Sequence, residues 1–135
     1  MTGVQTCALP IYNPDWQAGL STSVRCAVSA LPESVGAAVF LLADQPQVPA
    51  TLLRSLVEIH SRCLSPIVAP LVDEQRANPV LFDRQTFPDL LKVTGDAGGR
   101  ALFARYRVSW LPWHDARLLL DVDRPEDYQK LLEME

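Results

Sequence analysis

Acidic residues that follow apolar runs are the side chains in this 135-residue chain best suited to chemistry. Asp44 comes directly after the apolar run 37–43, which predicts a strand buried on both faces. Open α/β sheets bind ligands at the carboxyl ends of their strands, and a carboxylate there can hold Mg²⁺ against substrate phosphates. Alternatively, Asp44 caps a turn in which Pro46 stops the strand. The spacing does not choose between these two interpretations.

A second acidic group lies near the carboxyl end of the chain, in the segment 121–127. Asp123 is the stronger metal candidate of this group, because it follows a predicted strand over 117–122. Glu126 and Asp127 are better explained as a charged helix entry, since the helix dipole favours anions in the first turn.

Two segments rich in small residues are candidate ligand loops. In 95–100, glycines let backbone N–H groups approach an anion at a helix start, and Arg100 could bind a phosphate through two hydrogen bonds. Gly19 leads into a predicted helix whose first turn carries Ser21 and Ser23. Such hydroxyl groups either bind a polar ligand or cap the helix, and capping is the more common outcome.

The elements that must position these residues alternate between helix and strand. Apolar residues at helical spacing predict helices over 20–31, 49–63 and 86–93, a short helix ending at 106, and a last helix beginning at 125. Predicted strands cover 37–43, 66–72, 79–82, 108–111 and 117–122. This alternation predicts an α/β domain with a mainly parallel sheet.

Composition excludes several classes of protein. The chain has 12 basic and 16 acidic residues, a net charge of -4 and 48% hydrophobic residues, as expected of one soluble globular domain. No apolar run approaches the roughly 20 residues of a membrane span, and the acidic balance argues against nucleic-acid binding. Three cysteines without paired spacing predict no disulfide framework. We therefore expect a cytoplasmic protein that binds neither nucleic acid nor membrane.

Residues 1–11 differ from the rest of the chain, because they carry no charge and no sustained period. They resemble the conceptual translation of a sequencing adapter, and the alternative is a natural, poorly ordered N-terminus. The predicted organisation is a non-native segment over 1–11 and a single domain over 12–135.

Five segments taken in order resemble the C-terminal part of the molybdenum cofactor cytidylyltransferases, which are MobA-like nucleotidyltransferases. The segments are NPDWQAGLSTSV, LADQP, NPVLF, TGDAGGRAL and DVDRPEDY. The resemblance implies a Rossmann-like three-layer fold and transfer of CMP from CTP to a molybdopterin-type cofactor, with release of pyrophosphate. It also implies Mg²⁺ as cofactor, CTP and the molybdopterin cofactor as substrates, and a molybdoenzyme maturation chaperone as a further partner.

The same resemblance implies roles for individual residues. Asp44 and Asp123 would be the catalytic, metal-binding carboxylates. The residues implied for binding the nucleotide and the acceptor are Gly19, Ser21, Ser23, Asn78, Pro79, Gly95, Asp96, Gly98 and Arg100.

The chain departs from the family pattern in three places. Ala77 stands where the family often has glycine, which restricts the turn if a positive φ is required. Arg124 stands where threonine is common as a helix cap. The family's N-terminal glycine-rich phosphate loop has no counterpart, so we expect a C-terminal fragment that is inactive alone. Alternatives are a guanylyltransferase, another MobA-like nucleotidyltransferase, or a non-catalytic domain that has lost this loop.

Overall fold

A mixed five-stranded sheet lies at the centre of the computed structural model, which describes residues 9–134. The strands are Ala37–Phe40 (β1), Ile67–Val72 (β2), Gln75–Arg76 (β3), Val80–Asp83 (β4) and Val108–Pro112 (β5). The helices are Leu20–Ser29 (α1), Ala50–Cys63 (α2), Phe87–Leu90 (α3) and Pro125–Glu133 (α4). A 3₁₀ helix, Gly98–Ala104, precedes β5. Residues 1–8, most of the segment interpreted as an adapter, lie outside the described residues.

The sheet is mixed, so the prediction of a mainly parallel sheet is wrong. β5 pairs with one edge of β2 in parallel, whereas β3 and β4 pair with the other edge antiparallel. β4 in turn pairs antiparallel with β1. β1, β2 and β5 therefore run in the same direction, as expected for an α/β domain, but the return strand β4 is inserted between β1 and β2.

Helices cover both faces of the sheet. Successive residues of a strand point to opposite faces, and β2 shows this directly. Ile67 packs in one hydrophobic cluster with Val28 of α1, whereas Val68 packs in a second cluster with Leu56 of α2. The three-layer α/β arrangement is therefore confirmed.

β1 is shorter and more exposed than the sequence predicts. It covers Ala37–Phe40 rather than 37–43, and all four of its residues are half-buried. Within residues 9–134, β1 pairs only with β4 and is an edge strand, which explains why it is not buried as an interior strand would be.

The predicted strand over 117–122 is wrong, because side chains bind the backbone groups that a strand would need. Ala116–Leu119 forms a 3₁₀ turn that begins after Asp115, whose carboxylate accepts a hydrogen bond from the Arg117 N–H. Gln47 Nε2 donates to the carbonyl oxygens of Arg117 and Leu120, at 2.8 and 2.5 Å. The apolar run still contributes to the core through Leu118, which is buried.

The polar segment 73–76 forms the turn and the return strand of a tight β-hairpin. Asp73 and Glu74 both have positive φ, at 47° and 65°, as a type I′ turn requires at its two central residues. Gln75 and Arg76 then pair with the end of β2 as β3. The hairpin directs Arg76 toward the cleft described below.

Within residues 9–134, no helix is long and apolar enough to cross a membrane.

A histidine–aspartate pair joins α2 to the end of β4. His60 Nε2 lies 2.6 Å from Asp83 Oδ2, and the Gln85 N–H donates to Asp83 Oδ1 at 2.8 Å. Burial raises the pKa of Asp83, but the hydrogen bonds from the Gln85 N–H and His60 outweigh this effect and lower it below its ordinary value. The folded state therefore favours the ionised carboxylate.

We expect Asp83→Asn to lower the free energy of unfolding by roughly 1–3 kcal/mol at neutral pH, the usual cost of losing hydrogen bonds to a charged group. Because the folded-state pKa of Asp83 lies below the unfolded one, the stabilisation is present above the unfolded-state pKa. It is lost as the pH falls through the folded-state value. Urea unfolding at several pH values should show the difference between the two proteins shrinking as the pH falls below about 3.9, the ordinary pKa of aspartate.

Glu33→Gln is the matched control for Asp83→Asn, because Glu33 is an exposed carboxylate without an ion pair among residues 9–134. It should leave the free energy of unfolding within about 0.5 kcal/mol of the wild-type value across the same pH range. A pH-independent effect of Asp83→Asn would contradict the proposed ionisation.

Candidate active site

A cavity of about 470 Å³ lies beside the carboxyl end of β1. The cavity is lined by α1, the end of β1, the segment from β3 into β4, one residue of α3, and the 3₁₀ helix with the residues that lead into it. Its size falls within the usual range of small-molecule sites. It brings together four of the predicted binding residues, namely Ser23, Asn78, Asp96 and Arg100.

Backbone and hydroxyl hydrogen bonds hold the start of α1 against the loop that contains Gly95. The Leu20 N–H donates to Asp96 Oδ1 at 3.3 Å, and the Ser21 N–H donates to the Gly95 carbonyl oxygen at 3.1 Å. The Ser21 hydroxyl donates to the same carbonyl oxygen and is buried. Ser21 and Gly95, predicted to bind substrate, thus serve to join two walls of the cleft.

The hydroxyl groups in the first turn of α1 have different roles, and neither helix capping nor ligand binding accounts for all of them. The N-cap of α1 is Gly19, which has no side chain to cap the helix. Thr22 Oγ1 donates back to the Gly19 carbonyl oxygen at 2.7 Å, and Asn13 Nδ2 donates to Thr22 Oγ1 and Ser23 Oγ at 2.9 and 3.0 Å. Ser23 is the predicted hydroxyl residue that lines the cavity.

Asn78 and Pro79 lie where β3 leads into β4. The peptide bond between them is cis, Pro79 is buried, and Asn78 is half-buried on the cavity wall. Ala77 does not have a positive φ, and its N–H donates to the Pro70 carbonyl oxygen at 3.1 Å. Alanine therefore fits this turn, and the family's glycine is not needed there.

Gly98 is buried beneath the start of α1 rather than on the open side of the cavity. It has a φ of +54°, and a Cβ there would lie 3.1 Å from Leu20 Cδ2. Gly98 therefore lets the loop pass close to α1. This close approach helps to set the position of Arg100, two residues further along the chain.

Asp44 lies two residues beyond Leu42, which lines the cavity. The Val122 N–H donates to the Asp44 carbonyl oxygen at 2.8 Å, so the backbone next to Asp123 lies beside that of Asp44. Gln45 Nε2 donates to Asp121 Oδ1 at 2.7 Å and strengthens this junction. The structure thus joins the two acidic segments, although Asp123 follows an irregular segment and not a strand.

The helix-entry interpretation of 126–127 is consistent with the structure. The Asp127 carboxylate accepts hydrogen bonds from the backbone N–H groups of Arg124 and Asp123, at 3.1 and 3.3 Å. Glu126 is exposed in the first turn of α4.

The donor set near the end of β1 suits a hard divalent cation. Within residues 9–134, neither Asp44 nor Asp123 forms an ion pair, so both carboxylates are available to bind a cation. The described residues contain no group of three or more acidic, histidine or cysteine side chains placed to hold a metal. Two carboxylates fit the usual arrangement of Mg²⁺, which takes one or two from the protein and further oxygens from phosphates.

Arg76 and Phe103 also line the cavity, and sequence reasoning did not identify them. The guanidinium carbon of Arg76 lies 4.8 Å from the centre of the Phe103 ring. A type I′ turn prefers Asn-Gly at its central positions, and Asp-Glu is an unusual pair there. The sequence therefore contains no motif for the hairpin that positions Arg76.

The layered α/β fold, with its cleft at the carboxyl end of β1, has the architecture typical of α/β domains that bind ligands at this edge of the sheet. Residues 4–110 match the family model of the MobA-like NTP transferase domain. The chain belongs to this family, whose members are nucleotidyltransferases. The match begins at residue 4, so the adapter interpretation of residues 1–11 is not confirmed. No curated protein matches the chain.

Solved structures with a similar fold include Rv0371c from Mycobacterium tuberculosis H37Rv in complex with manganese. It is 30% identical with a TM-score of 0.72, over 82% of this chain and 59% of that one. Molybdopterin-guanine dinucleotide biosynthesis protein A from Archaeoglobus fulgidus is 16% identical with a TM-score of 0.66, over 86% and 62% of the two chains. The chain thus spans about three fifths of the length of these proteins.

Proposed function

We propose that the chain forms the acceptor side of a nucleotidyltransferase that transfers CMP from CTP to a molybdopterin-type cofactor. One observation carries this proposal. The segments that resemble the cytidylyltransferases, although distant in sequence, line one cavity or adjoin it at Asp44. Because the chain spans only part of its structural relatives, residues 12–135 would be the C-terminal part of the complete domain.

In the proposed reaction, an oxygen of the acceptor's terminal phosphate attacks the α-phosphorus of CTP. A new phosphorus–oxygen bond forms as the bond to the β-phosphate oxygen breaks, and pyrophosphate leaves. Such reactions depend on in-line positioning and on neutralising charge, so no side chain has to act as nucleophile. A bound divalent cation would neutralise the phosphates that meet, and Asp44 and Asp123 would hold it.

The cavity would orient the acceptor for this attack. Its lining includes the aromatic rings of Phe40, Phe82 and Phe103 together with the polar side chains of Asn78 and Arg100. This combination suits a flat heterocycle that carries polar and anionic groups. Mg²⁺ is the proposed cation, and the manganese complex of Rv0371c supports a site for a hard divalent cation. A cytoplasmic location and a molybdoenzyme maturation chaperone as recipient belong to the same proposal.

A pyrophosphate-release assay tests this function on protein made from the reading frame extended upstream of residue 12. We expect release that requires CTP, molybdopterin and Mg²⁺ together, and little or none from residues 12–135 alone. Full activity of the shorter protein would refute its proposed role as part of a larger catalytic domain.

Replacing CTP by GTP in the same assay separates the proposal from its nearest alternative. A guanylyltransferase is the second candidate, because the fold is similar to that of molybdopterin-guanine dinucleotide biosynthesis protein A. Preference for GTP would establish that alternative. No release with either nucleotide, from a folded protein that still binds molybdopterin, would support a non-catalytic binding domain.

A further inference from the structure

We propose that Arg76 and Arg100 together form an oxyanion-binding site in the cleft, which holds an anionic group of the acceptor substrate. Both residues line the cavity, whereas the carboxylates Asp44 and Asp123 do not. The site therefore differs from the proposed metal site. The identity of its ligand as the acceptor rests on the proposed function, but the existence of the site does not.

Arg100 lines the same cavity as Arg76, and the geometry of the 3₁₀ helix relates Arg100 to Phe103, the residue beneath Arg76. Side chains three residues apart eclipse one another in a 3₁₀ helix, so Arg100 and Phe103 project from the same side of Gly98–Ala104. Arg76 lies over the ring of Phe103, with its guanidinium carbon 4.8 Å from the ring centre. Phe103 therefore lines the cavity together with two arginines that come from distant parts of the sequence.

The position of Arg76 is well determined by its surroundings. Its backbone pairs with Leu71 of β2, which fixes its place on the hairpin. The Phe103 ring beneath it is held in turn by Phe82 and Trp110, whose ring centres lie 6.4 and 5.9 Å away. A guanidinium group that stacks on an aromatic face keeps its N–H edge free for an anion.

The charges around the cavity favour an anion. Within residues 9–134, neither Arg76 nor Arg100 forms an ion pair. Asp96 also lines the cavity, and its Oδ1 accepts a hydrogen bond from the Leu20 N–H. Two guanidinium groups against one carboxylate leave the cavity net positive, although the whole chain carries a net charge of -4.

The chemistry of the two side chains indicates which anion they would take. Guanidinium groups offer planar pairs of N–H donors that match the oxygen spacing of phosphate-like groups. Two such groups can contact different edges of one tetrahedral oxyanion, and the half-buried Asn78 offers a neutral amide nearby. A phosphate-type group is thus the ligand chemistry that fits best.

Calorimetric titration of the full 135-residue chain with inorganic phosphate, at constant ionic strength with chloride, tests the site. We expect saturable binding to the wild type, and a dissociation constant raised about tenfold or more in Arg76→Gln and in Arg100→Gln. Arg54→Gln is the matched control, because Arg54 is exposed on α2 and does not line the cavity. It should bind phosphate as the wild type does.

Arg76→Lys keeps the charge but loses the planar pair of donors, so it should recover only part of the affinity. It also serves as the test variant if Arg76→Gln has a lower melting temperature. Absence of phosphate binding by the wild type would overturn the proposal, and so would equal binding by the Arg76 variants and the Arg54→Gln control. These outcomes do not depend on nucleotidyltransferase activity.

Competition experiments on the extended protein decide which substrate supplies the anion. We expect molybdopterin, and not CTP, to displace phosphate from the wild-type protein. This displacement should be weaker in the Arg76 variants. Displacement by CTP alone would overturn the assignment to the acceptor. If the extended protein lacked transferase activity but phosphate binding still required both arginines, the proposed function would fail and the oxyanion site would stand.

Discussion

Asp44→Asn is expected to lower kcat of the extended protein at least about 100-fold, equivalent to roughly 2.7 kcal/mol of transition-state stabilisation. The physical reason is that the amide removes a negative charge from the proposed metal site. The cation that offsets repulsion between the two phosphates would then bind more weakly. Steady-state kinetics over a range of Mg²⁺ concentrations should show a higher Mg²⁺ requirement, and titration with Mn²⁺ should show weaker binding.

Two further variants make this expectation specific. Asp123→Asn should produce a smaller loss of the same kind, since Asp123 is exposed whereas Asp44 is half-buried. Glu126→Gln is the control, because Glu126 carries a carboxylate in the same acidic segment but lies in the first turn of α4. It should leave kcat unchanged. If Asp44→Asn retained wild-type kcat and metal affinity, Asp44 would be a turn residue and not a metal ligand.

Gly19→Ala is expected to lower the free energy of unfolding by about 3 kcal/mol or more. Gly19 adopts a φ of +115° and a ψ of 169°, a region that essentially only glycine occupies, at a cost of about 1–3 kcal/mol for other residues. A Cβ there would also lie 2.7 Å from the Gly95 carbonyl oxygen, a backbone atom that cannot move without shifting the loop. Thermal unfolding should show a melting temperature lower by roughly 10 °C.

Gly36→Ala provides the comparison for Gly19→Ala. Gly36 does not have a positive φ, and a Cβ there would meet no atom within 4 Å. Its replacement should change stability by no more than about 0.5 kcal/mol. Because Gly19 holds α1 against the loop before Arg100, Gly19→Ala should also weaken phosphate binding. Equal melting temperatures for the two variants would mean that the close contact between Gly19 and Gly95 does not exist in solution.

The periodicity of apolar residues was sufficient to predict most of the helices and strands, but not how the strands pair. The helical spacing of 20–31 predicts α1, and the apolar run of 66–72 predicts β2, because each pattern reflects burial of one face or of both. The apolar run of 117–122 forms a 3₁₀ turn instead. Its carbonyl groups bond to Gln47, a residue about 70 positions away, which no local pattern reveals.

In the candidate site, too, the sequence identified residues that the structure brings together, but the role of one of them depends on the tertiary structure. Ser23, Asn78, Asp96 and Arg100 were identified from short motifs, and the structure brings them to one cavity. Ser21 has the same residue type as Ser23 but lies on the buried side of α1, where its hydroxyl bonds to the Gly95 carbonyl oxygen. Its function depends on which face of the helix meets the loop.

By itself, the sequence determined the family, the alternation of helices and strands, and the residue types that could bind a cation or a phosphate. Those features depend on local patterns of polarity and on short motifs. Only the tertiary structure decided that the sheet is mixed, that the segments of Asp44 and Asp123 meet, and that Arg76 and Arg100 line one cavity. The physical reason is that strand pairing and side-chain stacking join residues far apart in the chain, which local periodicity does not encode.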